Sequence, residues 1–148
     1  MTTDATATTV LTPQQLHKLS QEMAIAEARK AEADARKAEE HKEAVKKAFM
    51  ERELRPDAMP YLMSAVKHAA EQGKHEFSVM QFAAELLSDG GRQVNNFDPN
   101  WTETLQGYPK RAYEFFVQYL KPTGYRLRAQ ILDYPNGNLG DVGIFLCW

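Results

Sequence analysis

The chain has 148 residues, 18 Lys and Arg against 20 Asp and Glu, a net charge of −2 and a single cysteine. That length holds one compact domain plus an appendage, and so balanced a charge excludes a global basic field for nucleic acid or anionic lipid. Cys147 alone excludes an intrachain disulfide and fits a reducing compartment.

The opening stretch MTTDATATTVLT has neither a basic nor an apolar signal region. No run approaches the roughly 18 apolar residues of a membrane span. The expectation is a tail over residues 1–12 and a cytoplasmic protein with no membrane contact. Of the 15 aromatic residues only Phe49 precedes position 61, and 11 lie between Phe97 and Trp148. Aromatic side chains carry much of a core's buried area, so the core is expected in the C-terminal two-thirds.

A long helix opens at Pro13. Thr12 suits the N-cap, Pro13 the first helical position and Gln15 the third, which completes a capping box. Leu11 and Leu16 stand at the positions of a hydrophobic staple. No glycine or proline follows until Pro56, so the helix is expected to run over 13–55, a rod of roughly 65 Å at about 1.5 Å per residue. Opposite charges three and four apart, such as Glu32/Arg36 and Glu43/Lys47, stabilise it locally by about 0.2–0.5 kcal/mol each.

The same stretch carries a heptad seam of Ala24, Ala28, Ala31, Ala35, Ala38, Val45 and Phe49, interrupted by Lys42. Each alanine offers one methyl, on the order of 0.8 kcal/mol if fully buried, so the seam is thin. Leu16, Leu19 and Met23 form a separate apolar patch at the tip. Two readings stand: a solvated charged helix, or an arm that self-associates or docks on a protein partner.

Residues 57–148 are expected to form a compact helical domain ending in a β-hairpin. Asp57 caps a helix bearing Leu62, Ala65, Val66 and Ala69, and Gly73 ends it. Lys74 to Phe77 is extended. Ser78 and Gln81 repeat the capping-box spacing, with Phe77 and Phe82 as the staple, and open a helix to about Ser88 that buries Val79, Phe82, Ala83, Leu86 and Leu87. Asp98-Pro99 starts a short helix with Trp101 and Leu105. Pro109 opens another, with Ala112, Phe115, Phe116, Tyr119 and Leu120 inward, stopped by Pro122 and Gly124.

The last segment alternates. Tyr125, Leu127, Ala129 and Ile131 take turns with Arg126, Arg128 and Gln130, Asn136-Gly137 signals a type I′ turn, and Val142, Ile144, Leu146 and Trp148 return. Gly140 and Gly143 suggest a bulge on the returning strand.

The fold class is therefore α+β, mainly helical with a small C-terminal hairpin. The element order over 57–148 resembles a winged helix-turn-helix, with Pro135 to Asn138 as the wing tip and residues 109–120 as the recognition helix. That resemblance implies phosphate contacts from Lys110, Arg111, Arg126 and Arg128. The wing tip carries no basic residue, and residues 89–108 separate the second and third helices where a few would suffice.

Catalytic signals are absent from the sequence. His17, His41, His68 and His75 lack ligand spacing, Cys147 has no sequence-visible base, and there is no GxGxxG, P-loop or GxSxG. No enzyme activity, cofactor or metal is expected. Tyr108, Tyr113, Tyr119, Tyr125 and Tyr134 exceed what a small core hides, and tyrosine favours interfaces.

The expected function is a non-enzymatic interaction or assembly protein using a helical arm and a docking domain. The alternative is a winged-helix nucleic-acid binder dimerising through the long helix. The closing pattern of Gly-Tyr, strand, Asn-Gly turn and strand ending in Trp resembles accessory proteins of bacteria and their phages.

Overall fold

The computed structural model describes residues 9–148, so most of the tail expected over 1–12 lies outside the described residues. The chain divides after Val45 into two units, the second running from Lys46 to Trp148. Helix α1 (Pro13–Met50) is continuous across that division. Its start is the reciprocal cap: the Thr12 N–H donates to Gln15 Oε1 at 2.8 Å, and the Gln15 N–H to Thr12 Oγ1 at 3.2 Å.

The helix ends at Met50, short of the expected 55. Pro56 disfavours helix at Arg55 and gives the Arg52 carbonyl no donor, and tertiary contacts cap the helix earlier, at Met50. Arg111 donates from Nη2 to the Met50 carbonyl at 2.8 Å and from Nε to the Arg52 carbonyl at 3.1 Å. Those bonds satisfy carbonyls that a helix end leaves without intrahelical donors. Gly107 sits against the same end, where an added Cβ would stand 2.7 Å from the Met50 oxygen.

In the unit from Lys46, helix α2 (Ala58–Glu71) buries Val66 and Ala69. Gly73, at φ +80°, closes it with a Schellman pattern: Lys74 N–H to the Ala69 carbonyl and Gly73 N–H to that of Ala70, both 3.0 Å. Asp57 stands where a cap was expected, but its carboxylate takes Arg55 instead, at 3.0 and 2.9 Å.

Strand β1 (Glu76–Ala83) replaces the helix expected over 78–88. Its pairing with β3 (Asp141–Cys147) shows why. The register shifts between Ser78 and Met80, leaving Val79 as the extra residue of a bulge. Phe77 opposes Leu146 and Phe82 opposes Val142, so both aromatic rings belong to the core face although they are five residues apart. Without the bulge an odd spacing would put them on opposite faces. Five apart is also the spacing of a helix staple, and the inserted residue erased the period of two.

Strand β2 (Arg126–Ile131) pairs with β3 in unbroken register, giving an antiparallel sheet in the order β1-β3-β2. The hairpin and its turn are as expected. Asn136 and Gly137 hold φ of 53° and 79°, and Asn138 N–H returns to the Pro135 carbonyl at 3.0 Å. The bulge expected around Gly140 and Gly143 is absent there; it lies on β1. Gly143 is instead covered: a Cβ on it would meet the Phe145 ring at 2.9 Å and Leu132 at 3.0 Å. The Trp148 N–H donates to the His75 carbonyl at 3.1 Å.

Between β1 and β2 lie a 3₁₀ turn (Ala84–Leu86), the four-residue helix α3 (Arg92–Asn95), a 3₁₀ turn (Trp101–Thr104) and helix α4 (Gly107–Phe115). A π turn, Phe116–Leu120, continues α4. Phe116 and Leu120 are buried as expected, whereas Tyr119 is half exposed, its ring 5.0 Å from that of Phe115. The wider turn adds a residue per repeat and takes Tyr119 off the inward face.

The core has two clusters. Phe82, Leu87, Val94, Leu105, Ile131, Val142 and Ile144 form one, with Phe49 packed against it. Val66, Phe116, Leu120 and Leu146 form the other. Leu146 and Val142, on the central strand's inner face with Ile144 between them, are its most enclosed large residues.

Candidate functional site

Helix α1 has no buried residue. The tip patch is open to solvent, with Leu16 at 47%, Leu19 at 51% and Met23 at 55% exposure. Along the seam Ala28, Ala31, Ala35, Ala38 and Val45 are exposed too. Phe49 leaves this set. Its ring packs 5.7 Å from Phe82 and 5.4 Å from Tyr108, so it belongs to the core of the unit in which it lies. Lys46 is ion-paired with Glu85 one turn earlier.

An unbroken helix also fixes the flanks of the seam. With Ala28 and Ala35 at heptad position a, Glu27 and Asp34 fall at g and Glu32 and Glu39 at e. A parallel, in-register pair of such helices sets g against the partner's e five residues on. That puts Glu27 against Glu32 and Asp34 against Glu39, like charges at both steps.

Of the four cations proposed for phosphate contact, Arg111 and Arg128 are engaged by other groups of the chain. Arg111 spends its donors on the Met50 and Arg52 carbonyls, with Glu53 at 3.9 Å. Arg128 donates to Glu76 Oε2 at 2.8 Å and Gln130 Oε1 at 2.6 Å, and its guanidinium lies 4.4 Å over the Phe145 ring. The hydrogen bond donated to Glu76 holds the Arg128 guanidinium above its ordinary pKa. Lys110 and Arg126 are exposed and make no ion pair among the described residues.

Two features escaped the sequence reading. The first is Phe97, at φ +55° and 85% exposed. It occupies the left-handed position of a Schellman turn, with Asp98 N–H to the Gln93 carbonyl at 2.9 Å and Phe97 N–H to that of Val94 at 3.1 Å. Glycine is the usual residue there, and a bulky side chain is strained. Nearby, half-exposed Tyr134 donates its hydroxyl to Asn95 Oδ1 at 3.0 Å.

The second is a cavity of about 360 Å³ inside the Lys46–Trp148 unit, lined by Leu62, Phe77, Val79, Leu105, Phe116 and Leu127, with exposed Arg52, Arg55 and Tyr61 also on its wall. Its walls come from five separate stretches of chain, so no local spacing announces it.

Among the described residues no group of three or more His, Cys, Asp or Glu could hold a metal ion, and no helix is long and apolar enough to cross a membrane. No protein-family model, curated protein or solved structure matches the chain.

Proposed function

We propose that this protein is a non-enzymatic interaction protein that captures a partner helix on α1. The observation that carries this is a helix of 38 residues, none of them fully buried, that presents an alanine seam from Ala28 to Ala38 and a Leu-Leu-Met tip to solvent. Small seam residues let two backbones approach closely, and the tip adds the larger side chains on which a partner could anchor.

The acidic flanks choose the partner. Glu27, Glu32, Asp34 and Glu39 oppose a second copy laid parallel and in register, and they favour an amphipathic helix with Lys or Arg beside its own seam. On the other unit, exposed Phe97 and half-exposed Tyr134, bonded to Asn95 two residues before Phe97, supply aromatic side chains for a second contact. One chain with two such surfaces acts as an adaptor.

The test uses the full chain and two synthetic helices that share an alanine seam and differ in their flanks, one lysine and one glutamate. Binding by fluorescence anisotropy is expected for the lysine-flanked helix, weakening with salt, and not for the other. Glu27→Lys with Glu32→Lys, Asp34→Lys and Glu39→Lys should reverse the preference. Equal binding of both helices, or of neither, overturns the reading. So does a full chain that light scattering finds self-associated through α1, or salt-dependent duplex DNA binding abolished by Arg126→Glu with Arg128→Glu.

A further inference from the structure

We propose that the cavity of the Lys46–Trp148 unit binds an apolar small molecule bearing a carboxylate, its body inside and its head on Arg52. Protein interiors hold few voids larger than a water molecule, whereas about 360 Å³ lies in the range of ligand pockets. The lining is mixed, with Leu62, Phe77, Leu105 and Phe116 among its apolar walls and Arg52, Arg55 and Ser78 among its polar ones. The apolar part favours a hydrocarbon body and the polar part a charged head.

Charge at the wall selects the head. Arg52 and Arg55 stand on the wall and Arg111 reaches the Arg52 carbonyl; two of the three are committed. Arg55 forms a two-point pair with Asp57 and lies 4.3 Å over the Tyr61 ring. Arg111 is held by the carbonyls of Met50 and Arg52, near Glu53. Arg52 is different. Its guanidinium lies 5.2 Å over the Tyr108 ring and makes no ion pair among the described residues. A guanidinium resting on a ring face keeps its in-plane N–H donors outward, which is the fork that matches a carboxylate. On the wall Arg55 is neutralised by Asp57, which leaves the charge of Arg52 for the ligand to neutralise.

Octanoate is the probe, with octylamine as the same chain carrying the opposite head. Titrated into the full-length protein, octanoate is expected to raise Tm and give a saturable calorimetric isotherm, and octylamine to do neither. Amide shifts on octanoate should centre on Leu62, Phe77, Leu105 and Leu127. Arg52→Gln, at an exposed position, should weaken octanoate about tenfold or more, the worth of a hydrogen bond to a charged group. Ala112→Leu, which fills the lining from α4, should abolish binding. The proposal is overturned if octanoate does not bind at millimolar concentration, if octylamine binds as well, if Arg52→Gln binds unchanged, or if the shifts map elsewhere.

Discussion

Replacing Arg111 with methionine separates a structural arginine from a ligand-reading one. Methionine keeps an apolar stem of similar length and removes every donor. The bond lost to the Met50 carbonyl is partly buried, whereas those to Arg52 are exposed, so water replaces the latter at small cost. A hydrogen bond to a charged group contributes about 1.5–3 kcal/mol, and the side chain is 33% exposed. The expected loss is about 2 kcal/mol. At roughly 4 °C per kcal/mol for a unit of this size, Tm falls by about 8 °C. The assay is thermal unfolding followed by near-ultraviolet circular dichroism, with Lys110→Met as the comparison. Lys110 is exposed and unpaired, so its replacement should move stability by no more than about 0.5 kcal/mol. Equal melting of the two variants would refute the claim that Arg111 ends the long helix.

Three more outcomes follow from the same contacts. Gly107→Ala should destabilise by about 1–3 kcal/mol in denaturant unfolding, because its φ of +57° and the Met50 oxygen 2.7 Å from a new Cβ act together; Gly73→Ala, with open space around it, should cost less. Phe97→Gly should raise stability by about 1 kcal/mol, since it relieves a left-handed aromatic that buries almost nothing. Thr12→Ala should speed amide exchange over residues 14–16 through a lost cap of about 1 kcal/mol, and leave the melting of the Lys46–Trp148 unit unchanged.

Features completed within a few residues could be read directly from the chain. The Thr12-Gln15 box, the Gly73 stop and the Asn136-Gly137 turn each close their hydrogen bonds inside one turn of backbone. The β2–β3 hairpin is nearly as local, its alternation uninterrupted because its register has no slip. The exposed tip at Leu16, Leu19 and Met23 was visible for the same reason: nothing distant covers it.

Long-range partners decided the remainder. Residues 76–83 carry both a helix cap and two aromatics at staple spacing, and local preference alone favours the helix. The exposed edge of β3 offers a ladder of backbone partners instead, and the bulge at Val79 lets Phe77 and Phe82 both reach the core. Burial of two aromatic rings outweighs the propensity of so short a stretch. Phe49 likewise fits a heptad until Phe82 and Tyr108 are folded beside it. Arg111 looks like a phosphate contact until Met50, 61 residues earlier, is brought under its guanidinium. A charge on a helix states what it could meet; only the tertiary structure places the carbonyl that it does meet.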